Sequence, residues 1–533
     1  MEIPIVVIAE KNSVAVEIAK VFPEYIVTSV AGHIKKITFK KYSNAPWLKT
    51  KLEDLLKDQL IYVNSEYASK SLSNIRSVKK LGPIHLILAM DPDQEGDLIA
   101  QHVLKEFSDK ELHKVSKIKL ESLSKKGITQ AFTKLEPLSG SEGHSADLRT
   151  RLDLLFGSIL SRYISLESFK CSNRWVTFNS GRVQTPTLKF VQDRTRERAH
   201  FNPEVYYMLK IEDNPYIGAH SLSKKYTTPP TTESTVMVSH TGSTEYIVPP
   251  RSGLNTDELL NLLSKEHAVF KKINSATTNL LSAMYLSGKI SYPRTDNNTY
   301  ANYIDLLTDT VKLYEQQFKI NAIVPTLVPS KVVTDHSPIT PLVSSSTLTD
   351  PLEKKVLGTL YNHLKKVLSG PNVYKKHTFS TQIHSESVSF SILEPITRVF
   401  EDGLTYSMVK PEPLFEVKVS VLEKTTKPPA HYNSASLLKQ MKKEGVGTKS
   451  TRATILEGLL KNEYLKYTEN DLLITNKGDY LCNYWSSRWP NIVSPELTKN
   501  IERLFPLPGV QDVTKNYEYY CKLLDELLRV KKI

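Results

Sequence analysis

The feature that most constrains this chain is an apolar run that ends in a burst of acid. Residues Ile84 to Met90 (IHLILAM) lead directly into Asp91-Pro92-Asp93-Gln94-Glu95-Gly96-Asp97. A continuous apolar run of this length predicts a strand buried on both faces, as in a parallel sheet. Residues Leu98 to Leu104 then read as a helix. A second such strand is predicted at Ile3 to Ala9, with Glu10-Lys11 at its C-terminal end. Asn12 or Ser13 is placed to cap a following helix that carries Val14, Ile18 and Val21 on one face. In open α/β sheets ligands bind beyond the carboxyl ends of the strands, and both acidic sites fall there. Four carboxylates in seven residues repel one another and some would take up protons. A hard divalent cation relieves this, and Mg²⁺ is satisfied by one or two carboxylates with waters and phosphate oxygens. The competing reading is a solvated acidic loop. The position immediately after a buried strand favours the metal.

The 533 residues are enough for roughly three or four domains. Lys+Arg 70 against Asp+Glu 57 gives a net charge of +13, which favours an anionic partner, nucleic acid first. Cys171, Cys482 and Cys521 are far apart and form no CxxC, so neither a zinc site nor a disulfide framework is expected, in keeping with a reducing cytosol. The first residues lack the pattern of a signal peptide, and no window of about 18 apolar residues predicts a membrane span.

A second chemical feature is Ser291-Tyr292-Pro293-Arg294-Thr295-Asp296, preceded by an apolar, helix-like run with Gly288 as its stop. Free tyrosine titrates near pH 10 and attacks poorly at neutral pH. A nearby guanidinium stabilises the phenolate and holds a phosphate oxygen. Pro293 limits how far Tyr292 and Arg294 drift apart. With 26 tyrosines in the chain, a surface loop tyrosine is the bland alternative.

The remaining stretches divide by pattern. Arg149 to Leu166 reads as a helix with Leu152, Leu155, Phe156 and Ile159 in a stripe, flanked by Arg151 and Asp153. Gly181-Arg182 before Gln184 suits phosphate capture where a helix opens. Val205, Tyr207, Leu209 and Ile211 alternate as a strand, and a second alternating block runs from Thr378 to Leu422. Ser221 to Pro250 is polar and reads as loops and short strands. Residues 255 to 370 between these blocks read as helical, so one β domain is interrupted by a helical insertion. After a linker at Lys424 to Tyr432, two helices flank Gly445-Val-Gly447-Thr448-Lys449-Ser450-Thr451-Arg452-Ala453, a plausible surface for a single-stranded backbone. No GxxxxGK[ST] occurs.

Six stretches, in order, resemble the motifs of type IA DNA topoisomerases: Val7-Ile-Ala-Glu10-Lys11, Asp91 to Asp97, Gly181-Arg182-Val-Gln184-Thr-Pro-Thr-Leu188, Leu281 to Asp296, Asp335-His336-Ser-Pro-Ile339-Thr-Pro341 and Gly445 to Ala453. The first two are similar to a Toprim domain. Departures are Gln94 and Asp97, Ser282 and Asn297, Pro338 and Leu342, and Lys449-Ser450, and none removes the acidic triad or the tyrosine. The resemblance implies a multidomain α/β, α and β chain: an N-terminal Toprim α/β domain (1–138), helical DNA-binding base (139–200 and 430–533), β-rich arch (201–260 and 372–429) and a mostly helical domain (261–371) bearing Tyr292, together forming a toroid. It also implies the roles. Tyr292 would be the nucleophile on single-stranded DNA, linked to the 5′ phosphate, with Arg294, Glu10 and Lys11 as catalytic partners. Asp91, Asp93 and Glu95 would bind Mg²⁺. Arg182, Gln184, His336, Arg151, Asp153, Thr448 and Arg452 would contact DNA. The expected activity is ATP-independent relaxation of negatively supercoiled DNA, with decatenation left open. A cytoplasmic, nucleoid-associated monomer is expected if the source is prokaryotic. Whether a helicase-like partner chain makes it half of a split reverse gyrase also stays open. A Toprim nuclease or primase is the rival enzyme, and a single-stranded-DNA-binding module the rival non-enzyme.

Overall fold

The structure is a computed structural model that describes residues 3–42, 50–138, 143–231, 234–318, 336–383, 386–402, 404–410, 412–449, 451–504, 521, 522 and 524. Asp335, Ser450 and the leucines 523, 527 and 528, which belong to the expected motifs and last helix, lie outside these residues.

The two apolar runs form adjacent central strands. Strands β1 (Ile5–Ala9), β2 (Ile26–Ser29), β3 (Ile84–Ala89), β4 (Leu112–Lys117) and β5 (Glu136–Pro137) make one sheet in the order β2-β1-β3-β4-β5. The pairings are parallel except β4–β5. Val6, Val7, Ile8, Leu86, Ile87 and Leu88 are all buried, because helices cover both sheet faces. The register Ala9↔Ala89 ends both strands at one level, so Glu10 and Asp91 emerge side by side. Helix α1 spans Asn12–Val21 with Val14 and Ile18 buried. The expected cap is corrected here: Lys11 is the N-cap and no side chain caps this helix.

Helix α2 (Gln94–Leu104) begins inside the acidic run, with Asp93 Oδ1 accepting from the Gly96 N–H at 3.0 Å. A Cβ on Gly96 would sit 1.9 Å from the Asp91 carbonyl oxygen. Only glycine lets this turn fold back so tightly.

A 29-residue helix, α3 (His144–Ser172), and helix α4 (Gln184–Ala199) pack with the C-terminal helices α8 (Ser434–Lys443) and α9 (Arg452–Lys461) around Phe156, Ile159, Leu437, Leu456 and Trp485. The helical block contributes α5 (Thr256–Glu266), α6 (Ser275–Leu286) and α7 (Pro351–Val367). Its core is continuous with one face of the first sheet, since Val7, Ile87 and Leu120 share a cluster with Met284, Tyr292, Leu357 and Met441.

The second sheet contains β6 (Val205–Ile211), β7 (His220–Ser221), β8 (Thr235–Val248), β9 (Asn372–Ile383), β10 (Glu386–Thr397) and β11 (Leu414–Thr425), in the order β10-β9-β8-β11-β6-β7. Strands from both sides of the helical block thus share one sheet. The polar stretch expected as loops is instead dominated by the 14-residue strand β8 at the sheet's centre. Val236 and Val238 are its buried inward residues, while Thr241 to Glu245 lie exposed. Its solvent-facing second half supplies the polarity that reads as loop.

Candidate active site where the sheet meets the helical block

Tyr292 is held by backbone on three sides. Helix α6 stops at Gly288, which has φ +69°, a left-handed conformation that glycine adopts without strain. Ser291 N–H donates to the Thr340 carbonyl at 2.9 Å, and the Ser291 hydroxyl to the Pro338 carbonyl at 2.9 Å. Thr256 Oγ1 donates to the Pro293 carbonyl at 2.7 Å. Tyr292 N–H reaches the other unit and donates to the Glu121 carbonyl at 3.3 Å.

The side chain follows the backbone across that junction. Tyr292 is 2% exposed, which excludes the surface-loop reading. Its hydroxyl donates to Asp93 Oδ2 at 3.1 Å. Its ring meets Tyr285 edge-on at 5.2 Å and His336 at 4.8 Å between centroids. Tyr285 in turn donates its hydroxyl to the Leu120 carbonyl at 3.0 Å. Burial, then the Asp93 and Asp91 carboxylates, push the Tyr292 phenol far above its ordinary value near 10, with Arg294 opposing them. Burial works against the Arg294 charge, but Tyr292, Asp93, Asp91 and Glu10 outweigh it and raise its pKa.

The carboxylates form the opposite wall. Glu10 Oε2 accepts from the Asp91 N–H at 3.0 Å, and Lys11 Nζ donates to Asp91 Oδ2 at 2.5 Å. Burial, then repulsion from Asp91, raises the Glu10 carboxyl above its usual range, with Lys11 acting the other way. Glu95 Oε2 lies 3.3 Å from His33 Nε2. Among the described residues no three His, Cys, Asp or Glu side chains already surround one point. The donor set nevertheless fits a hard cation. It is all carboxylate oxygen, and the repulsion between Asp91 and Glu10, which Lys11 opposes, is what a divalent charge relieves further.

Beside this wall a cavity of about 440 Å³ runs between the first sheet, α3 and the glycine-containing turn before α9. Asp93, Glu95, Asp153, Arg182, His336, Thr448 and Arg452 line it, so seven of the expected residues meet in one groove. Arg182 is 3% exposed and grips Asp153 with Nε at 2.5 Å and Nη2 at 3.2 Å. His336 Nδ1 lies 3.5 Å from Glu121 Oε1. Arg452 Nη1 donates to Asp257 Oδ2 at 2.9 Å.

Two expected contacts are placed elsewhere. Arg151 pairs with Asp147 at 2.9 Å, donates to the Leu60 carbonyl at 3.2 Å and stacks over Tyr62. Gln184 lies beside Gly458 of α9. Arg149, which the sequence marks only as the start of a helix, lines the groove instead. Positions i and i+4 share a helix face, so Arg149 goes with Asp153 and Arg151 points away. Glu121, whose carbonyl and carboxylate serve Tyr292 and the His336–Ser337 turn, was likewise missed. It lies in no motif, and only the fold brings it there.

The match to a DNA topoisomerase family model covers residues 139–507, and a Toprim domain model covers residues 5–123. The chain belongs to the type IA DNA topoisomerase family. It is 28% identical to DNA topoisomerase 1 of Archaeoglobus fulgidus over 89% of this chain and 73% of that protein. To DNA topoisomerase 1 of Thermoplasma acidophilum it is 28% identical, over 94% of this chain but only 66% of that protein's length. DNA topoisomerase 3 of Staphylococcus saprophyticus is 23% identical over 93% of the chain and 77% of that protein. The fold is that of full-length topoisomerase I from Thermotoga maritima, with a TM-score of 0.75, 20% identity and coverage of 97% and 89% of the two chains.

Proposed function

We propose that this chain is an ATP-independent DNA topoisomerase that cuts one strand of DNA with Tyr292. The observation that carries this is the Tyr292–Asp93 hydrogen bond, which unites the phenol of the helical block with the carboxylates of the Toprim domain. In the closed arrangement the phenol is protonated and held by Asp93. Entry of a DNA phosphate beside Arg294 supplies the group to be attacked, and the guanidinium steadies the negative charge that gathers on phosphorus. The Tyr292 oxygen bonds to phosphorus as the bond to the 3′ oxygen breaks, and the phenol proton leaves toward Asp93. Glu10, whose carboxyl burial and Asp91 raise above its usual range, would protonate the departing 3′ oxygen. Both exchanged bonds are phosphodiesters, so reversal needs no ATP. Lys11, Arg182, Arg149, His336, Thr448 and Arg452 would hold flanking phosphates. Arg151 and Gln184 remain proposed DNA contacts outside this groove.

Asp91, Asp93 and Glu95 would hold Mg²⁺, a metal that Toprim domains bind generally. Once bound, it neutralises carboxylate and phosphate charge and positions the broken ends. The residue ranges 1–138, 139–200 with 430–533, 201–260 with 372–429, and 261–371 are proposed as the Toprim, base, arch and gate units. Strand passage would part the gate from the Toprim wall, which separates Tyr292 from Asp93. The enzyme would act on the single-stranded segments of negatively supercoiled DNA. A Toprim nuclease would need the carboxylates without Tyr292. A denaturant trap on wild type and Tyr292→Phe tests the difference: 5′-linked protein is expected on DNA only with the tyrosine, and an equal yield of cut DNA from both would contradict the proposal.

A further inference from the structure

The second sheet carries a cluster of imidazoles that the DNA chemistry does not use. Strand β8 has a bulge between His240 and Gly242, where the register against β9 shifts. Residues three apart on a regular strand face opposite sides. The extra residue, Thr241, reverses that alternation, so that His240 and Ser243 both turn toward His377 of β9. His240 Nε2 lies 3.3 Å from His377 Nδ1, and Ser243 Oγ lies 3.1 Å and 3.0 Å from those two nitrogens. His377 is fully buried, and its other nitrogen, Nε2, is 3.0 Å from Glu394 Oε2 on β10. A carboxylate only accepts, so it fixes the hydrogen on Nε2 and leaves Nδ1 with its lone pair facing His240 and Ser243.

We propose that His240, His377 and Ser243 form a binding site for a borderline divalent transition metal of the zinc class, with Glu394 as the partner that orients His377. A tetrahedral zinc with bonds of 2.0–2.1 Å to nitrogen separates its ligand atoms by about 3.3–3.4 Å. The His240–His377 spacing equals that edge, and the Ser243 oxygen needs to move only a few tenths of an ångström, about the tolerance of such a site. The carboxylate–histidine pairing is the one that metal-bound imidazoles use to set tautomer and basicity. The two imidazoles bind as neutral rings and Ser243 as a neutral hydroxyl, so no proton has to leave, and a water completes the four ligands. Imidazole nitrogen selects zinc, copper or nickel over Mg²⁺, so the site is chemically distinct from the Toprim carboxylates. Its effect is to pin β8 to β9, and through Glu394 to β10, at the point where the bulge interrupts the ladder.

The test is calorimetric titration of the full chain with Zn²⁺ in excess Mg²⁺, which occupies the carboxylate site. Wild type should bind one Zn²⁺ that His240→Ala loses, and Glu394→Gln should bind it about 10–100-fold more weakly. His240 is only part-buried, so this variant keeps the fold, which circular dichroism verifies. X-ray absorption on the loaded protein should show two imidazole nitrogens at zinc. Equal zinc binding by wild type and His240→Ala, no binding by wild type, or a shell without imidazole would each overturn the proposal and leave only a hydrogen-bonded network.

Discussion

The Tyr292 hydroxyl and the Asp93 carboxylate, 199 positions apart in sequence, share a 3.1 Å hydrogen bond across the junction of two units. Asp93 uses its oxygens for different tasks: Oδ1 caps helix α2 and Oδ2 receives the phenol. The negative charge of Asp93 is the largest cause, after burial, of the raised Tyr292 pKa. An asparagine at position 93 keeps a cap acceptor but removes that charge. Asp93→Asn should therefore ease ionisation of Tyr292, read as a ring-carbon resonance of labelled tyrosine, assigned by comparison with Tyr292→Phe, that moves at an alkaline pH where the folded wild type shows no shift. A resonance that stays as fixed as in wild type up to the alkaline unfolding limit would contradict the electrostatic account.

Glu10 makes a pH prediction with a definite sign. Its carboxyl is raised by burial and by Asp91, so the folded protein holds that proton more tightly than the unfolded chain does. The associated stability is present below the unfolded carboxylate pKa, about 4.3, and is lost as pH rises through the higher folded value. Glu10→Gln should then melt above wild type at about pH 8, with the gap closing in acid. Single-turnover cleavage by wild type should decline as pH rises through the Glu10 pKa, and the glutamine variant should be slower and lack that limb.

Gly96 gives the clearest steric prediction. An added methyl would lie 1.9 Å from a backbone oxygen, which cannot swing aside as a side chain could. Gly96→Ala should cost about 1–3 kcal/mol of stability by forcing the Asp91 turn outward. Denaturant unfolding measures this, and Mg²⁺ affinity should fall in the same variant. The substitution Gly181→Ala, where an added Cβ meets nothing within 4 Å, is the control that should change stability little.

An ionic cluster joins α5 to the C-terminal helices α8 and α9. Asp257 Oδ2 accepts from Arg452 Nη1 at 2.9 Å and lies 3.4 Å from Lys442 Nζ, which also stands 3.3 Å from Asp296 Oδ1. Arg452 and Asp257 are mostly buried, so removing one charge strands the other. Asp257→Asn should weaken the closed state by about 3 kcal/mol, the lower end of the cost of breaking a buried pair. Energy transfer between fluorophores on α5 and α8 should drop in this variant, and stay high if the cluster is not a latch.

The first sheet and the acidic run that follows its central strand are legible in sequence because they are local. Each apolar run becomes a central strand, and the acidic residues follow it without a gap. The bend at Gly288 and the paired helices around Gly445–Arg452 were readable for the same reason. Strand β8 was not, because its polar half is exposed and its partners lie more than a hundred residues later. Arg149 and Arg151 illustrate a finer limit. The helix is evident from its apolar stripe, but which arginine faces the groove depends on helical phase: Arg149 lines it, while Arg151 pairs with Asp147. Glu121 was invisible because its role runs through a backbone carbonyl and a contact with a distant histidine.

The most direct test of the central claim uses negatively supercoiled plasmid, Mg²⁺ and no ATP, with wild type and Tyr292→Phe compared in relaxation and in a denaturant trap. The account predicts that wild type relaxes the plasmid and is trapped on 5′ ends, while the phenylalanine variant, which loses only one oxygen, does neither. Relaxation by Tyr292→Phe, or its absence in wild type, would contradict it.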